Sequence, residues 1–175
     1  IRPRKYIPHW HYLYSNKYQG ITMNIEQRLT ELGIVLSAPV PPKFSYVPIK
    51  QTGNLLYSSG NDCRVNGELL YQGTLGRELT IEQGQAAARQ CIINILSSLK
   101  SYLGDLNRVA GCVKMLGFVQ SADVFKDQPL VMNSASDLLI AIFGEAGKHA
   151  RSAIGTNTLP FNTPVEIEII FEIKD

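Results

Sequence analysis

From Thr80 onward the apolar positions recur every three or four residues. Ala88, Cys91, Ile92, Ile95, Leu96, Leu99 and Leu103 make one continuous stripe, the spacing of a long amphipathic helix. Thr80 followed by Gln83 is a capping-box pattern at its start, and Gly104 supplies a left-handed residue after its last turn. A second helix is predicted from about Pro129, a favoured first-turn residue. Its inner face is Ala135, Leu138, Leu139, Ile142 and Phe143, and Gly144 and Gly147 end it. The last segment, VEIEIIFEIKD, alternates instead: Val165, Ile167, Ile169, Phe171 and Ile173 point one way, and Glu166, Glu168 and Glu172 the other, with only Ile170 breaking the polar face. Between the helices, RVAGCVKMLGFVQ is apolar in both alternating sets, as in a strand covered on both faces.

Upstream, SYVPIK and NLLYSSG are predicted as two strands joined by Gln51, Thr52 and Gly53, and the Asn-Gly of VNGELLYQG is a hairpin signal. The prolines of PVPPKF, Pro39 to Phe44, mark a linker, because proline neither continues a helix nor donates to a sheet. Before it, MNIEQRLTELGI places Ile25, Leu29 and Leu32 on one helical stripe with Gly33 as a stop, and Met23 has the look of an initiator. The division expected is residues 1–43 as an extension with a short helix and a Pro-rich linker, and 44–175 as the folded domain. The order β-β-β-α-β-α-β-β predicts an α+β fold, one mixed sheet with two helices on one face. Two helices leave the other face bare, so a second copy of the chain is expected to cover it.

Composition narrows the class. Over 175 residues, 45% are apolar and 18% charged, the range of an ordinary globular domain. A net charge of +2 and the lack of any run of four Lys/Arg give no footprint for nucleic acid, which is not expected as a partner. The longest apolar run, LLIAIF, falls far short of the roughly 20 residues of a membrane span, so no membrane is expected either. Cys63, Cys91 and Cys112 have no CxxC spacing, so neither a disulfide framework nor a zinc site is predicted; a reducing cytoplasm is the simpler home, and Cys91 and Cys112 belong to the core. The stretch of residues 1–22 is basic, acid-free and aromatic, with His9 and His11 flanking Trp10. An upstream extension, a docking arm and an organellar presequence all fit it.

Familiar catalytic signatures are missing: GxGxxG, a Walker loop, HExxH and GxSxG do not occur. What stands out is HARSAIGTNTLPFNTPVEIEIIFE, where Arg151 is the only Lys or Arg and no acid precedes Glu166. A hairpin turning around LPFNTP would make the two cross-strand neighbours. Either they form a structural ion pair, or Arg151 holds a carboxylate bidentately while Glu166 handles a water or a proton; spacing does not decide between these. Tyr46, Ser59 and Asn133 complete the candidates, with SSG, Ser58 to Gly60, at a strand end as a turn or an anion nest.

ARSAIGTNTLPFNTPVEIEI resembles the signature of the Rid (YjgF) family of reactive intermediate deaminases: an Arg-Ser pair, then Leu-Pro, then alternating Glu and Ile. The likeness extends through SYVP, SSG, the long helix and VKMLGFV, from Tyr46 to Asp175. GEAGKHARSAIG, with the preceding MNSASDLL, is similar to the subgroup labelled YjgF/chorismate-mutase-like putative endoribonuclease. The resemblance implies a chorismate-mutase-like fold, a homotrimer with a cleft at each subunit interface, and hydrolysis of 2-aminoacrylate-type enamines or imines to 2-oxo acids and ammonia, with no metal or cofactor. By the same resemblance Arg151 grips the substrate carboxylate and Glu166 positions the attacking water. Tyr46, Ser59, the backbone of Gly60, Asn133 and the backbone of Ala153 line the pocket. Ala153 stands where many members carry cysteine, which excludes thiol chemistry, and QSADVFKDQPL carries extra residues before the second helix. Gly155 and the Asn157 region are expected to reshape the pocket toward a different natural substrate. Two rival functions accompany the family: an endoribonuclease or translation inhibitor, and a small-ligand-binding trimer without turnover.

Overall fold

The computed structural model describes residues 24–39, 41–42 and 44–174. The basic leader with His9, Trp10 and His11, then Met23, and Val40 and Lys43 of the linker lie outside the described residues. A first helix, α1 (Ile25–Glu31), is capped by the Asn24 side chain, which accepts from the backbone of Glu26 and Gln27. It is seated on the main body: Ile25 and Leu29 are buried in the common core, Ile25 N donates to Asn107 Oδ1 at 2.9 Å, and Glu26 pairs with Lys100.

Strands β1 (Ile49–Thr52) and β2 (Leu55–Ser58) form an antiparallel hairpin turning at Gly53, one or two residues later than the sequence pattern indicated. The Asn-Gly signal is realised in a separate two-stranded ribbon, β3 (Arg64–Val65) and β4 (Glu68–Leu69). Its turn residues Asn66 and Gly67 both take positive φ, 53° and 89°, as the tight turn requires. Helix α2 (Ile81–Leu103) begins with the predicted Thr80/Gln83 capping box and buries the whole predicted stripe. Then follow β5 (Val109–Gln120), α3 (Gln128–Phe143), β6 (Ala150–Thr156) and β7 (Val165–Ile173). By length and composition 128–147 could cross a membrane, but the inner face of α3, from Val131 to Phe143, is packed in the core.

The main sheet has the order β1-β2-β7-β5-β6. Strand β5 is parallel to β6 and antiparallel to β7. Helices α2 and α3 cover the face that carries Met115, Val119, Val165, Ile167, Ile169 and Phe171, all essentially inaccessible. Two register irregularities in β5, before Gly111 and before Lys114, shift its phase, so that Val109 and Cys112 are buried along with Met115. That shift contributes to the two-sided apolar pattern of this strand. The opposite face carries Tyr57, Leu116, Phe118, Ile154 and Ile170 among Lys114, Glu166 and Glu168, all partly or fully exposed in the single chain.

The predicted β6–β7 hairpin does not form. Because β5, α3 and β6 make a parallel β-α-β unit, β6 lies on the outer side of β5. The segment 157–164 crosses the end of β5 and delivers β7 to the other side. Gln120, at that end, holds the crossing: Leu159 N donates to its Oε1 at 2.7 Å, and its Nε2 donates to Asn162 Oδ1 at 2.6 Å.

Candidate functional site

Arg151 enters the sheet beside Met115 and Glu166 beside Phe118. Side chains alternate along a strand, and partners in register share a face, so positions three apart point to opposite sides. With β5 between them and a three-residue offset, their Cα atoms are roughly 14 Å apart by standard strand spacings. The expected cross-strand contact is therefore absent, and so is the structural ion pair that it would have made.

Arg151 is on the helix side of the edge strand β6. Its Nη1 donates to Asn133 Oδ1 and to Ser136 Oγ, both at 3.0 Å, and its Nη2 donates to the Pro129 carbonyl at 3.4 Å. Asn133 and Ser136 stand three apart on α3, on one face, so a single helix turn grips one edge of the guanidinium. The Nε–H and the remaining Nη2–H carry no hydrogen bond among the described residues; these are the two donors a carboxylate takes in parallel. Partial burial lowers the Arg151 pKa from its ordinary value, with Asp137 opposing. Ala153 follows on the same face, partly buried against the core.

Glu166 belongs to a second cluster. After β2 the chain continues alongside β7, with Asn61 N donating to the Ile167 carbonyl at 2.8 Å and Ile167 N to that of Asn61 at 3.0 Å. This sets Gly60 directly against the Glu166 side chain, where any Cβ would collide with the carboxylate. The glycine is required by that approach. Burial, then the charges of Asp62 and Glu168, raise the Glu166 pKa above the usual carboxylate value. Its oxygens accept no hydrogen bond among the described residues, so the group is held by packing and has both oxygens to offer. Ser59 adjoins it but donates its hydroxyl to the Val47 carbonyl at 2.7 Å, leaving lone pairs to present. Tyr46, 50% exposed, lies in the bend before β1, one residue from Val47.

The predicted residues thus fall into two groups, Arg151 with Asn133 and Ala153, and Glu166 with Gly60 and its chain neighbour Ser59; Tyr46 is tied to the second only through the adjacent Val47, whose carbonyl Ser59 binds. Pattern reasoning missed three neighbours: Ser136 and His149 around Arg151, and Asp62 beside Glu166. The i, i+3 spacing of Asn133 and Ser136 was the available signal for the first. The three cysteines are buried as core residues, and burial pushes Cys112 up to about 12 and Cys91 higher than its ordinary value, which leaves neither a nucleophile.

A family model described as YjgF/chorismate mutase-like, putative endoribonuclease, matches residues 26–173. Protein TCP17 of Trypanosoma cruzi is 40% identical over 152 residues, covering 86% of this chain and 95% of its own. Among solved structures, the protein Atu1372 of Agrobacterium tumefaciens, of unknown function, is 43% identical with a TM-score of 0.80 over 86% of this chain and 93% of that one. A protein of Shewanella oneidensis described as a putative endoribonuclease is 32% identical with a TM-score of 0.83, over 86% and 100%.

Proposed function

The chain belongs to the YjgF/chorismate mutase-like, putative endoribonuclease family, and from that premise we propose that it hydrolyses reactive enamines or imines of the 2-aminoacrylate type to 2-oxo acids and ammonia. The observation that carries this reading is the pairing of a guanidinium whose Nε–H has no hydrogen-bond partner among the described residues, and whose Nη2 makes only the 3.4 Å contact with the Pro129 carbonyl, with a carboxylate whose proton affinity is raised. In this reading the two belong to one site, made between copies of the chain: the Arg151 edge of one protomer meets the Glu166 face of the next. Their divergence within one chain supports that arrangement, as does the apolar face formed by Leu116, Phe118 and Ile170. A trimer would repeat the site three times.

The chemistry asks little of the protein. The substrate carboxylate lies in the Arg151 fork, which fixes the imine carbon. Water adds to the carbon of the imine tautomer while Glu166 takes one proton and passes it to nitrogen; the carboxylate then takes the hydroxyl proton of the carbinolamine and passes that to nitrogen too, so that ammonia departs as the carbonyl of the 2-oxo acid forms. A raised carboxyl pKa suits a group that must both accept and give a proton. Ser59 is joined to the Glu166 cluster through Gly60, and in this reading it and Tyr46 contact the substrate side chain.

The test is pyruvate release from 2-aminoacrylate generated in situ from serine by a dehydratase. Acceleration by the wild type that is lost in both Arg151→Ala and Glu166→Gln is the expected result; no acceleration by the wild type would defeat the reading. Tight 2-oxo acid binding without turnover would favour the ligand-binding alternative. For the nuclease alternative, His149 is the only histidine among the described residues, and both its ring nitrogens are engaged. RNA cleavage by purified protein that persists in Arg151→Ala would establish a separate site.

A further inference from the structure

Behind Arg151 lies a run of hydrogen bonds whose direction is fixed by chemistry. His149 Nδ1 is 2.8 Å from the Gly147 carbonyl oxygen, an atom that only accepts, so Nδ1 carries a hydrogen. In a neutral ring Nε2 is then the acceptor, and its neighbour at 3.2 Å is Ser136 Oγ, so the hydroxyl donates to it. The same hydroxyl oxygen accepts from Arg151 Nη1 at 3.0 Å. The polarity runs one way, from Arg151 to Ser136 to His149 to the Gly147 carbonyl. Gly147 itself packs so closely on the Leu139 carbonyl that a side chain there would collide with it, which anchors the far end of the run.

We propose that His149 is a positioning residue for the Arg151 clamp, acting through the Ser136 hydroxyl to decide which edge of the guanidinium the protein engages and which faces the substrate. This rests on the reading of Arg151 as the carboxylate clamp. With Nη1 tied to both Asn133 and Ser136, and one Nη2 hydrogen on the Pro129 carbonyl at 3.4 Å, the guanidinium plane is set and Nε–H with the second Nη2–H is left to present to a carboxylate. A hydroxyl alone would hold that plane poorly, because its rotor is free to turn; the imidazole acceptor removes that freedom. Asn133 sets position and the Ser136–His149 pair sets orientation.

Protonating the ring reverses the run. Nε2–H would then donate into Ser136 Oγ, which would sit between two cations, and the hydroxyl proton would have to turn elsewhere. The native setting favours the neutral ring: burial lowers the His149 pKa, the Arg151 charge lowers it further, and the Gly147 carbonyl opposes both. The other charged groups nearby are Lys148, whose ammonium is paired with Glu145, and Asp137 on α3, which supports the Arg151 charge.

Two measurements test the proposal. The first follows KM and kcat on in situ 2-aminoacrylate, and calorimetric binding of 2-oxobutyrate, in His149→Leu, His149→Gln, Ser136→Ala, the Leu/Ala double variant and Arg151→Ala. His149→Leu and Ser136→Ala should each raise KM and the 2-oxobutyrate Kd about tenfold, the scale of one lost hydrogen bond to a charged group, with kcat within about twofold. The double variant should be no worse than either single, because one path carries the effect. His149→Gln, whose Oε1 can accept from Ser136, should recover most of the loss. The second follows the His149 ring by NMR in the wild type, assigned by its disappearance in His149→Gln. Saturating 2-oxobutyrate should raise its titration midpoint by neutralising Arg151, and this readout stands even where His149→Leu fails to fold. Additive losses in the double variant, or a midpoint that does not move although Arg151→Ala abolishes binding, would overturn the His149 inference alone. If Arg151→Ala binds 2-oxobutyrate like the wild type, or the wild type does not bind it, the clamp reading falls and the inference with it.

Discussion

Arg151 and Glu166 leave opposite faces of a single sheet, because they flank β5 at positions three residues apart, Met115 and Phe118. A site using both therefore needs two chains. Mixing Arg151→Ala subunits with Glu166→Gln subunits, each inactive alone, should restore turnover. With random exchange, each inter-subunit site draws an intact arginine from one partner and an intact glutamate from the other with a chance of about one quarter, so about a quarter of wild-type activity should return. No recovery in verified mixed oligomers would end the pairing of Arg151 with Glu166 in one site.

The raised Glu166 pKa makes a stability prediction with a definite sign. A carboxyl whose folded pKa lies above its unfolded value binds its proton more tightly in the native state, so stability falls as pH rises through the window between the two and stays reduced above it. Glu166→Gln removes that penalty. The variant should melt above the wild type at pH 8, the difference should shrink as pH falls toward 4.5, and turnover should be lost throughout. A variant that melts below the wild type at pH 8 would mean that the ionised carboxylate makes a stabilising contact after all.

Gly60 tests the placement of the same carboxylate without removing it. A methyl group at this position meets Glu166 Oε1 and its carboxyl carbon, and the flexible end of the glutamate is what must give way. Gly60→Ala should fold, since neither a positive φ nor a backbone clash forbids it, and should lose kcat by about tenfold to a hundredfold, the scale of an ångström-level misplacement. Unchanged kcat, measured beside an unchanged circular dichroism spectrum, would show that the carboxylate position against Gly60 is not the productive one.

Much of this fold was legible from periodicity. The α2 stripe, its capping box, the α3 face and the β7 alternation are local patterns, and each is reproduced with its predicted residues buried. What periodicity could not show was which strand lies beside which. A short Leu-Pro turn between two strands suggests a hairpin, and nothing local reveals that α3 first places β6 on the outer flank of β5. Residue types alone nominated Arg151 and Glu166, but their separation followed from that topology. His149 was invisible for a related reason: it precedes a strand, and only the packing of α3 on β6 brings it to Ser136, which the i, i+3 spacing from Asn133 alone could have flagged.

Gln120 offers a direct test of the crossing that separates β6 from β7. The side chain is 3% exposed, accepts from Leu159 N, and donates to Asn162 Oδ1 and to Thr74 Oγ1 at 3.3 Å. Asn162 and Phe161 both take φ near +60°, a conformation costly to non-glycine residues that neighbours must impose. Gln120→Ala leaves the Leu159 N–H without its partner and should cost about 2 kcal/mol in denaturant unfolding. Gln120→Glu would keep the acceptor for Leu159 but set a carboxylate against Asn162 Oδ1, and should also destabilise. A loss within error for Gln120→Ala would mean that the crossing is held by its backbone alone.

The sheet face left exposed among the described residues makes the last prediction. Leu116, Phe118 and Ile170 form its apolar centre, beside Tyr57 and Ile154 at 40% and 46% exposure, with Lys114 donating to Ser152 at 2.8 Å and Glu166 and Glu168 close by. Burying such a patch against another chain is favourable at about 25 cal/mol per Å² of apolar area, whereas desolvating a new unpaired charge there costs several kcal/mol. On the two-chain reading, Leu116→Glu, which sets a carboxylate directly opposite Glu168, should therefore dissociate the assembly into monomers that keep their secondary structure, because the packed core lies on the other side of the sheet. Under the two-chain site such monomers are inactive even with Arg151 and Glu166 intact. Sedimentation and pyruvate release, measured on one sample over a concentration series, separate the possibilities: activity that rises with re-association supports the shared site, and full activity in a species shown to be monomeric would end it.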